Sequence, residues 1–129
     1  MILFINSVIE PYTIGVLDAE YKVLTQALVE ENVKSFRSIA VEFLHQQREQ
    51  IAACQTVIYV NGPGKFNDVR AGYLLAQSVS AAFPSMQLLC VRSLDLLKQV
   101  NPHNCFIKAS KSELYTLTDG KITTIDKPD

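Results

Sequence analysis

The stretch "YVNGPGKFNDVRAG", Tyr59 to Gly72, holds three of the chain's five glycines together with a proline and an arginine, directly after an apolar run. That run, "TVIYV" (Thr56 to Val60), is β-branched and aromatic and bounded by turn residues, which is the pattern of a short buried strand. Gly62-Pro63-Gly64 then forces a sharp turn, because Pro63 fixes its own φ and either glycine accepts a positive one. From Phe66 onward the apolar spacing becomes helical. The stretch therefore reads as strand, tight turn and helix start, the place where α/β proteins often hold phosphates or partners. It is neither a G-x-G-x-x-G fingerprint nor a Walker loop, so a purely structural turn stays open beside a ligand site.

Working outward, 129 residues suit one domain able to remove roughly two-thirds of its unfolded surface from water. The formal charge is −1 with no long basic or acidic block, which gives no electrostatic reason for direct nucleic-acid binding. "MILFINSVIE" is apolar but short and lacks a basic flank, so neither a signal peptide nor a membrane span is expected, and the location expected is cytoplasmic. Cys54, Cys90 and Cys105 lie in apolar neighbourhoods without C-x-x-C spacing and are expected to be buried reduced thiols rather than metal ligands.

Upstream, "ILFINS", "YTIGVLD" (Tyr12 to Asp18) and "YKVLTQALVE" (Tyr21 to Glu30) read as three strands in hairpin succession, Ala19 and Glu20 linking the last two. A helix is predicted over Ser35 to Ala53 with Ser35 as N-cap, then the strand ending at Val60. A second helix is predicted from Phe66 to Phe83, closed by Pro84, followed by the strand "MQLLCV" and a short helix "SLDLLKQV" capped by Ser93. The order β-β-β-α-β-α-β-α is the ribonuclease H-like layout of the actin, sugar kinase and heat-shock ATPase superfamily. "CFIKA", "ELYTLT" and "KITTID", with Asp119-Gly120 between the last two, predict short antiparallel strands. Residues 1–102 are thus expected to form one lobe, and 103–129 the remnant of a second.

No catalytic constellation emerges. His45 and His103 are far apart in sequence, each without a Cys or carboxylate cluster of metal or triad type; Ser7 and Ser93 read as structural or capping serines. In the first helix Phe36, Ile39, Ala40, Phe43, Gln47 and Ile51 share an arc suited to a sheet. Arg37, Val41, Leu44, His45 and Arg48 lie on the neighbouring arc, mixing aliphatic and cationic groups as the edge of an interface or a solvated face would. In the second helix Phe66, Val69, Tyr73 and Ala76 form one apolar arc. Ala71, Leu75, Ser78 and Ala82 form another roughly opposite, to be covered by the first helix or by a partner.

"NGPGKFNDVRAG" closely resembles the "GPGSFTGxRxG" stretch of the TsaB (YeaZ) family, with Gly62, Pro63, Gly64, Phe66, Arg70 and Gly72 matching. "ILFINS...IGVLD", "LLCVRSLDLL" and "CFIKASKSELYTLT" are similar to further family segments, so the resemblance runs over most of the chain. It implies a non-catalytic partner in bacterial tRNA threonylcarbamoyladenosine (t6A) synthesis, without cofactor or metal. It implies docking of the two helices, through Arg37 to Arg48 and Ala71 to Ala82 as named above, against a TsaD-type catalytic paralogue or a second copy of itself. A TsaE-type ATPase is a further partner it suggests. Members also carry the label of glycoprotease-like proteins.

The departures weigh against enzyme chemistry. Lys65, Asn67 and Asp68 stand where the family has Ser, Thr and Gly, and Asn6 replaces the first-strand aspartate that the superfamily's ATPases use for magnesium or water. The first hairpin, "SVIEPYTIG", has an acid and a proline, Glu10 and Pro11, where phosphate-binding amides would be needed. A single lobe followed by the first strands of another also lacks one wall of the superfamily's nucleotide cleft. The readings left are a TsaD-binding scaffold, a stand-alone homodimeric interaction module that has lost the modification role, and a degenerate glycoprotease-like or phosphotransferase enzyme.

Overall fold

A computed structural model describes residues 1–30, 35–100, 106–108, 112–118 and 120–126. β1 (Ile2–Asn6) lies at the centre of a five-stranded sheet of order β3-β2-β1-β4-β5. It pairs antiparallel with β2 (Tyr12–Leu17), from Ile2 opposite Leu17 to Asn6 opposite Thr13. On its other side it runs parallel to β4 (Thr56–Val60), Ile2 beside Thr56 and Ile5 beside Tyr59. β3 (Val23–Val29) continues the antiparallel side and β5 (Gln87–Val91) the parallel side. The ribonuclease H-like layout expected from the sequence is the one found. β4 and β5 are parallel neighbours, which a hairpin cannot join, and β3 and β4 are separated by β2 and β1, so both connections run through helix.

Period-two patterning decides which face is dry. Leu3 and Ile5 of β1, Ile14 and Val16 of β2, and Val57 and Tyr59 of β4 point one way into a core closed by Ala40, Phe43, Ala76 and Val79. Those four belong to α1 (Phe36–Gln46) and α3 (Phe66–Ala82), which share that side of the sheet. The opposite side is different. Phe4, Gly15, Leu17, Tyr21, Ile58, Val91 and Leu96 line an open, almost wholly apolar groove of about 460 Å³.

The single helix expected over Ser35 to Ala53 is two. Ser35 does cap α1, its hydroxyl accepting from the Ser38 N–H, but Gln47 leaves helical geometry (φ −105°, ψ 21°) and α2 (Arg48–Ala52) starts afresh. The core supplies the reason. Eight residues at 100° per residue would rotate Ile51 about 80° away from Phe43, and the break lets both stay buried.

The apolar arc expected on α3 is also rotated. Its buried residues are Gly72, Ala76 and Val79, whereas Phe66 is 75% exposed and Tyr73 lies half out, edge-on to the Tyr59 ring. Small residues take the inner face because the turn before α3 holds it close to β1. Of the expected buried thiols, Cys54 is buried and that burial pushes its thiol pKa up, but Cys90 is exposed because it sits on the edge strand β5. Cys105 and His103 lie outside the described residues.

α4 (Ser93–Val100) follows β5, and a second, antiparallel sheet has the order β6 (Phe106–Lys108), β7 (Glu113–Thr118), β8 (Lys121–Asp126). These are the strands expected from "CFIKA", "ELYTLT" and "KITTID". Gly120 takes the positive φ of the turn between the last two, while Asp119 lies outside the described residues. Among the described residues no helix is long and apolar enough to cross a membrane.

Candidate functional site

The glycine-proline turn is clamped from both sides. Gly62 has φ +80°, a conformation that suits only glycine without strain, and an added Cβ there would sit 3.1 Å from Val69. Asn61 N–H donates to Val91 O at 2.8 Å, tying the end of β4 to β5. Ser93 N–H donates to Gly62 O at 2.7 Å and its hydroxyl to Pro63 O at 2.6 Å. Ser93, expected to cap α4, therefore spends its side chain on the turn. The start of α4 is braced instead by Arg92, whose guanidinium grips both oxygens of Asp95 and holds that carboxyl below its ordinary pKa.

On the other side, the first hairpin presses against the helix that leaves the turn. Ser7 donates its hydroxyl to Asp68 O at 2.6 Å, and Tyr12 OH donates to Asp68 Oδ2 at 3.2 Å. A Cβ at Gly64 would lie 2.5 Å from the Val8 side chain, and one at Gly72 would overlap Ser7 Oγ. Gly62, Gly64 and Gly72 are thus each demanded by the fold, two by close approach and one by φ.

Asn6 has a structural task at the end of β1 that an aspartate could not perform. Its Nδ2 donates to Ile9 O at 2.8 Å, and its Oδ1 accepts from Val8 N at 3.1 Å and Ile9 N at 2.9 Å. The side chain must be donor and acceptor at once to hold the hairpin loop. Asn6→Asp would set a carboxylate oxygen against the Ile9 carbonyl, at an expected cost of about 1–3 kcal/mol at neutral pH. The introduced carboxyl is more easily protonated in the folded chain than in the unfolded one. The deficit should therefore shrink as pH falls toward the carboxyl range, which urea unfolding at several pH values would read out.

A cavity of about 270 Å³ opens between the two sheets, lined among others by Glu10, Tyr12, Lys65, Asp68, Leu97 and Phe106. Glu10 and Asp68 bring two carboxylates against one lysine. Asp68 also lies in the first turn of α3, where its charge answers the helix dipole that an anion would otherwise meet. The arrangement opposes a phosphate. Among the described residues no group of three His, Cys, Asp or Glu side chains could hold a metal ion.

The remaining motif residues face outward. Arg70 is exposed, and among the described residues nothing accepts from its guanidinium, because it lies one turn into α3 on the side away from the sheet. Phe66 and Leu74, 75% and 50% exposed, share that side with it. Sequence reasoning placed Phe66 on an arc expected to pack and left Leu74 off both apolar arcs.

Of the helix residues singled out beforehand, Arg37, Val41, His45 and Arg48 are exposed, as are Ser78 and Ala82. Ala71 is half-buried, and Leu44 and Leu75 pack partly against the core. Ser78 returns its hydroxyl to Leu74 O at 2.8 Å. The break at Gln47 leaves a broad depression of about 590 Å³ lined by His45 to Gln50.

Sheet order, crossover helices and core define a single ribonuclease H-like lobe with a small antiparallel sheet behind it. No protein-family model matches the chain, and no curated protein matches its sequence. Among solved structures it is similar to YeaZ from Pseudomonas aeruginosa, with a TM-score of 0.64 at 18% identity, over 98% of this chain and 64% of that one. A second structure, an uncharacterized protein with similarity to peptidase YEAZ from the same organism, gives 0.65 at 19% identity over 98% and 63%. The chain has the YeaZ fold and spans a little under two-thirds of these two proteins' length.

Proposed function

We propose that the chain is a non-catalytic scaffold of t6A synthesis that binds a TsaD-type catalytic subunit through the outer faces of α1 and α3. The observation that carries this reading is the division of labour within the shared motif. Gly62, Pro63, Gly64 and Gly72 are consumed by the turn and its close contacts, whereas Phe66 and Arg70 have no packing role and stand on the surface. An exposed aromatic and an arginine on one helix face, beside Leu74, are the residue types that anchor protein interfaces. Val41, His45 and Arg48 on α1 and α2 extend the same kind of surface. The YeaZ fold supports the reading, and so does the pair of carboxylates in the inter-sheet cavity, which disfavours nucleotide chemistry.

The test is light-scattering mass on a sizing column, for the chain alone and mixed with the TsaD homologue of the same organism. A heterodimer mass is the expected result. Separate elution of the two proteins would remove the modification role and leave the fold.

A further inference from the structure

We infer that the open face of the main sheet is the seat of an amphipathic helix from a partner chain, about thirteen residues long and laid with its N-terminal end over the β2–β3 turn. The strands themselves are built for such a cover. β1, β4 and β5 are apolar at successive positions, "ILFI", "VIYV" and "LLCV", rather than at alternate ones. Runs of that kind belong to strands with a helix layer on each face. Here α1 and α3 share one face, and among the described residues Leu96 of α4 is the one helical residue lining the groove on the other. Phe4, Leu17 and Ile58 on its floor are half-buried. Val23 at its rim and Leu89, the cross-strand neighbour of Ile58, are 52% and 42% exposed.

The groove has the dimensions of a helix. It runs from Leu17 on β2, past Gly15, Phe4 and Ile58, to Val91 on β5. By the strand registers that path crosses three strand spacings and climbs four residues, a diagonal of roughly 20 Å. About thirteen helical residues span it. Gly15 puts no side chain in the middle of the floor and leaves room for a helix to approach. Nothing within residues 1–129 is left to fill the groove, since the longest stretch outside the described residues is five. Charge sets the polarity. The turn at one end carries Asp18 and Glu20 against Lys22 alone, whereas at the other end Arg92 and Asp95 close on each other at 2.6 Å. The partial positive charge of a helix N-terminus therefore belongs at the turn. The inference does not rest on the t6A reading, because the groove lies on the side of the sheet away from α1 and α3.

Two synthetic peptides of about fourteen residues test it by fluorescence anisotropy. One is a helix former with leucines at i, i+3, i+4 and i+7, the other a scramble of the same composition whose leucines share no face. The first should bind at least about tenfold more tightly than the second. Val23→Lys and Leu89→Lys should each weaken it about tenfold while leaving the melting temperature within about 2 °C, since both residues are exposed in the free chain. Ile122→Lys, on β8 of the other sheet, should change nothing. A photo-reactive group at the N-terminal end of the helical peptide should mark the β2–β3 turn, and one at its C-terminal end should mark α4. Equal binding of the two peptides, indifference to both lysines, or marking at the opposite ends would each overturn the inference. So would a dimer of the free chain that Leu89→Lys dissolves, which would give the face to a second copy.

Discussion

Gly72→Val is expected to lower stability by about 3 kcal/mol, the upper range for overpacking a core, and the melting temperature by roughly 10 °C. The reason is local. Gly72 is buried where α3 crosses the end of β1, and the first atom of any side chain there would occupy the place of Ser7 Oγ. Ser7 cannot swing away without giving up its 2.6 Å bond to Asp68 O, so either α3 lifts from the sheet or a buried hydroxyl loses its partner. Gly64→Val should act in the same direction through Val8. Thermal unfolding followed by circular dichroism measures both, and a melting temperature within a degree or two of the unmodified chain would show that the hairpin and helix are not wedged together.

Leu74→Glu should do the reverse, leaving the melting temperature within about 2 °C while weakening the proposed complex with a TsaD-type subunit roughly a hundredfold. Leu74 is half exposed beside Phe66 and Arg70, so a carboxylate there costs the free chain little, but in a closed interface it would be buried unpaired. Leu75, one residue on, packs partly against the core, and Leu75→Glu would confuse loss of folding with loss of binding. Titration calorimetry of both components, paired with melting curves, separates the two effects. Unaltered affinity for Leu74→Glu would move the docking surface off this face of α3.

The architecture could be read from the chain because its signals are local. The short apolar runs "ILFIN" and "YTIGVL" mark strands, and Gly-Pro-Gly after "TVIYV" announces the change to helix. The break at Gln47 carries no such mark: neither glycine nor proline stands there, and the kink arises from the need to keep both Phe43 and Ile51 under the sheet. Phe66 misled for a related reason. Its residue type and spacing suggest burial, yet burial on α3 is set by how closely the helix approaches β1, which selects Gly72 and Ala76 instead. The role of Ser93 was out of reach as well, because a helix-starting serine looks the same in sequence whether its hydroxyl caps its own helix or reaches Pro63. Asn6 could be seen as a departure from an aspartate, but its part as a two-way hydrogen-bonding post for the hairpin needed coordinates.

The groove floored by Phe4, Gly15 and Ile58 has a thermodynamic signature. Heat-capacity change on unfolding tracks apolar surface newly wetted, about 12–15 cal/mol/K per residue for ordinary domains. In this chain Phe4, Leu17 and Ile58 are only half-buried before unfolding begins, so its value should lie toward the low end of that range. A binding partner that closes over the groove would raise it, and calorimetry of the free and bound chain would register the covering without any knowledge of what covers it.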